Sequence, residues 1–189
     1  MTIKNNFFQK RRSVMANKMD SSPIDKKDID TILAAGIRVP DHGALSPWKL
    51  ITIQGQSLTK IDKEILLPEF KKTNSNADEE IIEAQTQRFQ RAGLVIAVLS
   101  TPVKHSFIPK WEMYLSSGAV CMNLLSCAQS LGYAAIWLTE WYAYNEKLLI
   151  HLGGRVEQDK VSGFIYIGHK KEEPLERKRP DPEKVIKHL

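Results

Sequence analysis

Hydrophobic positions along this chain fall into two alternating patterns, and their alternation predicts the element order. Ile29, Ile32, Leu33 and Ile37 recur at helical spacing. Just before them stand the marks of a helix start: Asp25 as N-cap, Asp28 in the first turn, and Ile24 placed to pack on Ile29. Pro40 restricts Val39, so this helix ends near Arg38. A turn-forming stretch, Pro40-Asp41-His42-Gly43, leads through Pro47 into a strand over residues 48–53, closed at Gly55. A helix is expected over 58–66, a polar connection over 68–76, and a second amphipathic helix over 78–92, where Ile82 and Phe89 stand one heptad apart.

The continuous apolar run 94–99 reads as a buried strand. A long helix follows over 111–131, with Gly132 placed as its C-cap, and then a second buried strand over 133–138. A short helix over 145–152 and a strand over 161–167 complete the pattern. The charged, proline-punctuated segment 170–189 is a tail. Helices separate the strands too widely for hairpins, which predicts α/β or α+β architecture around one mixed sheet. A length of 189 residues fits a single domain with a terminal arm.

Composition narrows the class only a little. A formal charge of +5 favours anionic ligands without choosing among nucleic acid, phosphate cofactor and acidic lipid. The two cysteines, Cys121 and Cys127, share one predicted helix, where six residues place them too far apart to bridge. Buried reduced thiols in a cytoplasmic protein are the expectation. Residues 1–15 hold no apolar core of a secretory signal, and the apolar stretch 114–131 is broken by Ser116, Ser117, Asn123, Ser126 and Gln129. That stretch reads as a buried helix rather than a membrane span.

Candidate chemistry begins with absences. The sequence holds no GxGxxG, no P-loop, no HExxH and no Gly-x-Ser-x-Gly, and its five histidines are scattered. An enzyme of this kind would rely on an organic cofactor rather than on a metal. Four features remain. Arg11-Arg12-Ser13 suits a phosphate monoester, or is an ordinary pair of surface arginines. The loop from Arg38 through Asp41, His42 and Ser46 to Trp48 is stiffened by two prolines. It either meets a ligand ring or leaves Trp48 as core filling. Gly132-Tyr-Ala-Ala-Ile136-Trp137-Leu138-Thr139 carries small residues that admit a flat ligand, or that serve sheet packing alone. Arg177-Lys178-Arg179-Pro180 is a solvated basic tail or a second anion contact.

In order, these features resemble the nitroreductase family. The resemblance lies in Arg-Arg-Ser near the start, the helix and Pro-containing loop into Pro47-Trp48, and the Gly-Tyr-x-x-x-Trp strand. A strand ending in Ile167-Gly168 and the Arg179-Pro180 tail continue it. It is nearest to the short bacterial members, through Arg38-x-Pro-Asp-His42, Trp111-Glu112 and Glu157-Gln158-Asp159-Lys160, and spans about residues 8–187. It implies an α+β fold with a central mixed sheet, and a homodimer joined through long helices and a C-terminal arm. FMN would lie at the interface, with NADH or NADPH as co-substrate and a nitroaromatic, quinone or other oxidised small molecule as acceptor.

Carried over by position, Arg11, Arg12 and Ser13 would hold the FMN phosphate and ribityl chain, and Arg179 would assist. Arg38 and His42 would contact the flavin, and Trp137, Leu138 and Thr139 would line its other side. Cys127, Ala128, Gln129, Ser130, Leu131 and Gly132 would lie near the nicotinamide nucleotide. The chain departs from the family where Met15 replaces an Arg, and where Ala44 and Ser46 replace flavin-reaching Asn and Gln. Alternatives at this stage are a flavoenzyme of another reaction type, such as a dehydrogenase or dehalogenase, a flavin-binding protein without turnover, and a basic nucleic-acid-binding module. The basic residues are interspersed with 22 acidic ones, which argues against the last.

Overall fold

The computed structural model describes residues 7–189, so the first six residues of the N-terminal segment lie outside the described part. In chain order it holds α1 (Phe7–Lys10), β1 (Met19–Asp20), α2 (Lys26–Gly36), β2 (Trp48–Gln54), α3 (Gln56–Ile61), α4 (Leu67–Thr73) and α5 (Glu79–Glu83). Then follow β3 (Leu94–Ser100), α6 (Lys110–Ser130), β4 (Ala134–Leu138), α7 (Glu146–His151), β5 (Lys160–Lys170) and α8 (Pro182–Val185). The architecture is α+β, a central sheet flanked by helices, as expected. Among the described residues every strand pairing is antiparallel: β2 with β3, β3 with β5, and both β4 and β1 with β5.

Period-two alternation along β3 and β5 sends successive side chains to opposite faces and builds two cores. On one face Leu94, Ile96, Val98, Ile165 and Ile167 pack against α2 and α6. On the other Val95, Ala97, Leu99, Phe164 and Tyr166 pack against α3, α7 and Phe89. β3 is buried over its whole length because it is central and covered on both faces, which explains its unbroken apolar sequence. The start of α2 is as expected: the Asp25 carboxylate caps the Lys27 amide at 2.8 Å.

Three expectations need correction. Residues 68–76 are not a loose connection, since the chain stays helical through a π turn at Asp62–Leu66 and on through α4. Pro68 stands directly after the π turn, where the helical ladder is already irregular and the loss of its N–H is accommodated. Residues 78–92 are not one helix but α5 followed by two short 3-10 turns. The cause is Asp62, whose buried carboxylate accepts from the Phe89 amide at 2.8 Å and from the Gln90 amide and side chain at 3.2 and 3.1 Å. Those bonds take the amides out of a helical ladder. Burial nonetheless raises the Asp62 pKa above the usual carboxylate range, outweighing the hydrogen bonds. Finally, β4 is buried only at Ala134 and Ala135, and it emerges at Trp137.

α6 runs one residue ahead of its expected start and ends as predicted at Gly132, whose φ of 93° gives the left-handed turn. Cys121 is fully buried and burial pushes its thiol up to about 12. Cys127 is only partly buried, and both are free. Among the described residues no helix is long and apolar enough to cross a membrane.

Candidate functional site

The C-terminal end of α6 gathers three distant segments. Gln129 Nε2 donates to the Arg12 carbonyl at 2.7 Å and to the Ala135 carbonyl at 3.1 Å, and the Val14 amide donates to Ala135 as well. The Arg11–Ser13 segment is thereby laid along the outer edge of β4. The tail returns to the same place. Arg12 Nε donates to the Leu175 carbonyl at 3.1 Å, and Arg179 Nη2 reaches the Arg11 carbonyl at 3.5 Å. Glu176 lies between the two guanidiniums, 2.9 Å from Arg179 and 3.8 Å from Arg12. The Arg177 amide, and after it these two charges, hold the Glu176 carboxyl below its usual range.

A cavity of about 300 Å³ opens here, lined by four cations, Lys10, Arg11, Arg12 and Lys170, against two carboxylates, Glu173 and Glu176, with Gln129 and Tyr133 beside them. Two of its lining residues carry buried atoms without a hydrogen-bond partner, Arg11 Nη1 and Gln129 Oε1. An unpaired buried guanidinium nitrogen is costly. A phosphate accepts from such groups in forked geometry, so the residues fit an anionic phosphate ester.

Beyond Ser13 the chain turns along a second cavity of about 650 Å³. Its walls are Met15–Asn17, the Ile136 and Leu138 side chains of β4, and Gln87, Arg88, Arg91 and Glu140. Arg91 Nη2 donates to Glu140 Oε1 at 2.8 Å, and Arg88 Nη1 lies 3.3 Å from Glu140 Oε2. Behind Arg91 sit Tyr142, whose hydroxyl is 3.3 Å away, and Tyr166, whose ring lies 5.2 Å below the guanidinium. Burial works against the Arg91 charge, yet the Glu140 hydrogen bond and the neighbouring tyrosines raise its pKa further. Sequence reasoning missed Arg88, Arg91 and Glu140. Glu140 lies 49 positions from Arg91, a separation that carries no periodic signal.

Trp137 points to the other side of β4. Its indole packs against Gly163 and donates to the Ser162 carbonyl at 3.0 Å; a Cβ on Gly163 would meet Nε1 at 1.9 Å. Thr139 is exposed at the mouth of the strand.

Arg38 and His42 lie elsewhere, on the loop that runs back along α6 from Asn123 to Glu112. Asn123 donates to the Arg38 carbonyl at 2.8 Å, Ser116 to the Pro40 carbonyl at 2.7 Å, and His42 Nδ1 is 2.7 Å from Glu112 Oε2. Asp41 ties the loop, accepting from the Ser46 amide at 2.7 Å. Ala44 and Ser46 both hold positive φ, at 52° and 46°, an uncommon state for residues with a Cβ and a sign of a tightly determined turn. From Glu112 to Gln129 the helix rises roughly 25 Å. His42 and Arg12 are thus attached to α6 about five turns apart.

The stretch Cys127 to Gly132 divides. Ala128 is buried, and the Cys127 thiol faces the Thr31 carbonyl of α2 at 3.9 Å. Gln129 is occupied in joining Arg12 to β4, and Ser130, Leu131 and Gly132 are exposed.

Comparisons with known proteins identify the family and the fold. The model of the Nitroreductase family matches residues 8–169. The chain is 31% identical over 146 residues to an Escherichia coli K12 protein named provisionally as the NAD(P)H nitroreductase YdjA, covering 75% of each. Among solved structures, a nitroreductase-like family protein from Bacillus cereus superposes with a TM-score of 0.79 at 19% identity, covering 100% of this chain and 98% of that one. A nitroreductase from Desulfovibrio desulfuricans, solved in complex with FMN, gives a TM-score of 0.72 at 19% identity, over 97% and 95%. The chain belongs to the nitroreductase family.

Proposed function

We propose that the protein is an FMN-dependent NAD(P)H oxidoreductase that acts as a homodimer and reduces a nitroaromatic, quinone or other oxidised small molecule. The observation that carries this reading is the convergence of Arg11, Arg12 and Arg179 from opposite ends of a nitroreductase-family chain, with Arg11 Nη1 buried and unpaired among them. The FMN phosphate is assigned to these arginines and Ser13, and the isoalloxazine to the adjoining cavity beside Leu138. Bound there, FMN would supply the hydride carrier that links the nicotinamide to the acceptor.

The chain's own residues do the rest. Arg88 and Arg91 place donors on the cavity wall where charge develops on a reduced ring. Leu138 lines that site, exposed Thr139 stands next to it in sequence, and Trp137, its indole on the other face of β4, would contribute through its backbone; orientation rather than a side-chain base is their part. The nicotinamide nucleotide is assigned to the exposed part of the 127–132 stretch, Ser130, Leu131 and Gly132, with Cys127, Ala128 and Gln129 behind it in structural roles.

Arg38 and His42 are assigned to the flavin of a second copy. α6 is apolar nearly all round, and Trp111 and Leu115 are exposed on its free side, 66% and 54%. A helix of that kind is normally covered. Two copies of α6 packed antiparallel bring the His42 end of one against the Arg12 end of the other, which completes a site that neither chain holds alone. Visible spectroscopy of the purified protein tests the reading. A flavin spectrum bleached anaerobically by NADH or NADPH is expected, and a colourless protein that takes up no added FMN contradicts it.

A further inference from the structure

The larger cavity has a charged wall that flavin binding alone does not require. Two guanidiniums, Arg88 and Arg91, share a single carboxylate, Glu140, and all three side chains are only 20–26% exposed. Arg91 is fixed from behind by Tyr142 and Tyr166, and Arg88 Nε is held by Gln85 Oε1 at 3.0 Å. The pairs are therefore oriented, not fluctuating surface contacts. Glu80 and Glu83 also line the cavity, on the exposed side of α5.

On the reading that the isoalloxazine occupies this cavity, we infer that Glu140 lowers the electron affinity of the bound flavin by neutralising the Arg88–Arg91 pair. Reduced flavin carries negative charge that oxidised flavin lacks, so nearby cations favour the reduced form and a nearby carboxylate opposes it. A unit charge a few ångströms away, in surroundings poorer than water in screening, shifts such an equilibrium measurably. Glu140 follows directly on Thr139, so the same backbone that rims the site places the carboxylate on its wall. Glu140 is thus a positioning and tuning residue, acting through the two arginines.

Glu140→Gln keeps the shape and an acceptor for Arg91 while removing the charge. It is expected to tighten reduced FMN relative to oxidised FMN by about tenfold, a rise in two-electron midpoint potential of about 30 mV. Arg88→Gln is expected to move the potential the opposite way. Dye-equilibrated reductive titration of each holoprotein reads both values, beside fluorescence titration of each apoprotein with FMN. Opposite shifts support the inference, and a packing role alone would not produce them. An unchanged potential in Glu140→Gln, or shifts of one sign in both variants, overturns it while leaving FMN binding intact. If Glu140→Gln does not fold, Arg88→Gln decides alone, and an unchanged potential there overturns the inference. A wild-type apoprotein that does not bind FMN overturns both this inference and the flavin assignment.

Discussion

The two ends of α6 are unfinished in opposite ways. At the C-terminal end, Gln129 knits the Arg12 segment to β4, the tail folds back on both, and what is left over is polar: a buried Arg11 nitrogen and the Gln129 oxygen. From Asn123 towards the N-terminal end the loop of Arg38 and His42 is firmly held by Asp41, Ser116, Asn123 and Glu112, and what is left over at that end is apolar: Phe107, Trp111 and Leu115. The Arg11 nitrogen is satisfied by an anion, the Gln129 oxygen needs a donor such as a ligand hydroxyl, and an uncovered apolar helix face is satisfied by another protein surface. In the proposed antiparallel dimer their placement on one helix, roughly 25 Å apart, sets each end beside the opposite end of the second copy.

The apolar end should give the largest effect. Replacing Trp111 and Leu115 together by Glu is expected to convert a dimer to monomer in sedimentation, and to weaken FMN by more than about a hundredfold, because central apolar anchors dominate an interface. Retention of a dimer with flavin would separate the apolar face from assembly. At the polar end, Arg12→Ala is expected to weaken FMN roughly ten- to hundredfold, the range for losing a charge-assisted hydrogen bond of about 1.5–3 kcal/mol. Unchanged flavin affinity in equilibrium dialysis would remove the phosphate from these arginines.

Gly163→Ala probes the ground between the ends. Its new methyl would collide with the Trp137 indole, so a loss of about 1–3 kcal/mol in chemical denaturation is expected. A variant as stable as the parent would show that Trp137 is free to move. The smallest effect belongs to Glu112→Ala. The His42–Glu112 pair is substantially exposed, so a contribution of about 0.2–1 kcal/mol, seen as less than about a fivefold change in FMN affinity, is expected.

Much of this contrast was legible in the residues, though unevenly. Local signals worked where local physics decides: Asp25 caps α2, Gly132 ends α6, and the unbroken apolar run of β3 announced a strand covered on both faces. They failed where a distant group intervened. Asp62 captures the amides of Phe89 and Gln90 and breaks what helical periodicity joined, and the polar composition of 68–76 suggested a connection where helix α4 continues to Thr73. The arginines at both chain ends were recognised through family order, and the structure brings Arg12 and Arg179 together on Glu176. Arg88 and Arg91 had no such signal. They are two charges in a polar segment, and only the fold sets them against Glu140.

The shared site itself is open to a mixing experiment. A chain with Arg12→Ala is paired with a chain in which Arg38 and His42 are both Ala, and the purified heterodimer is titrated with FMN. If each site draws its polar end from one chain and its loop from the other, both defects fall in one site and the second is intact. One FMN per heterodimer should then bind with parental affinity, although both parent homodimers bind weakly. Two equally weakened sites in the heterodimer would contradict the account.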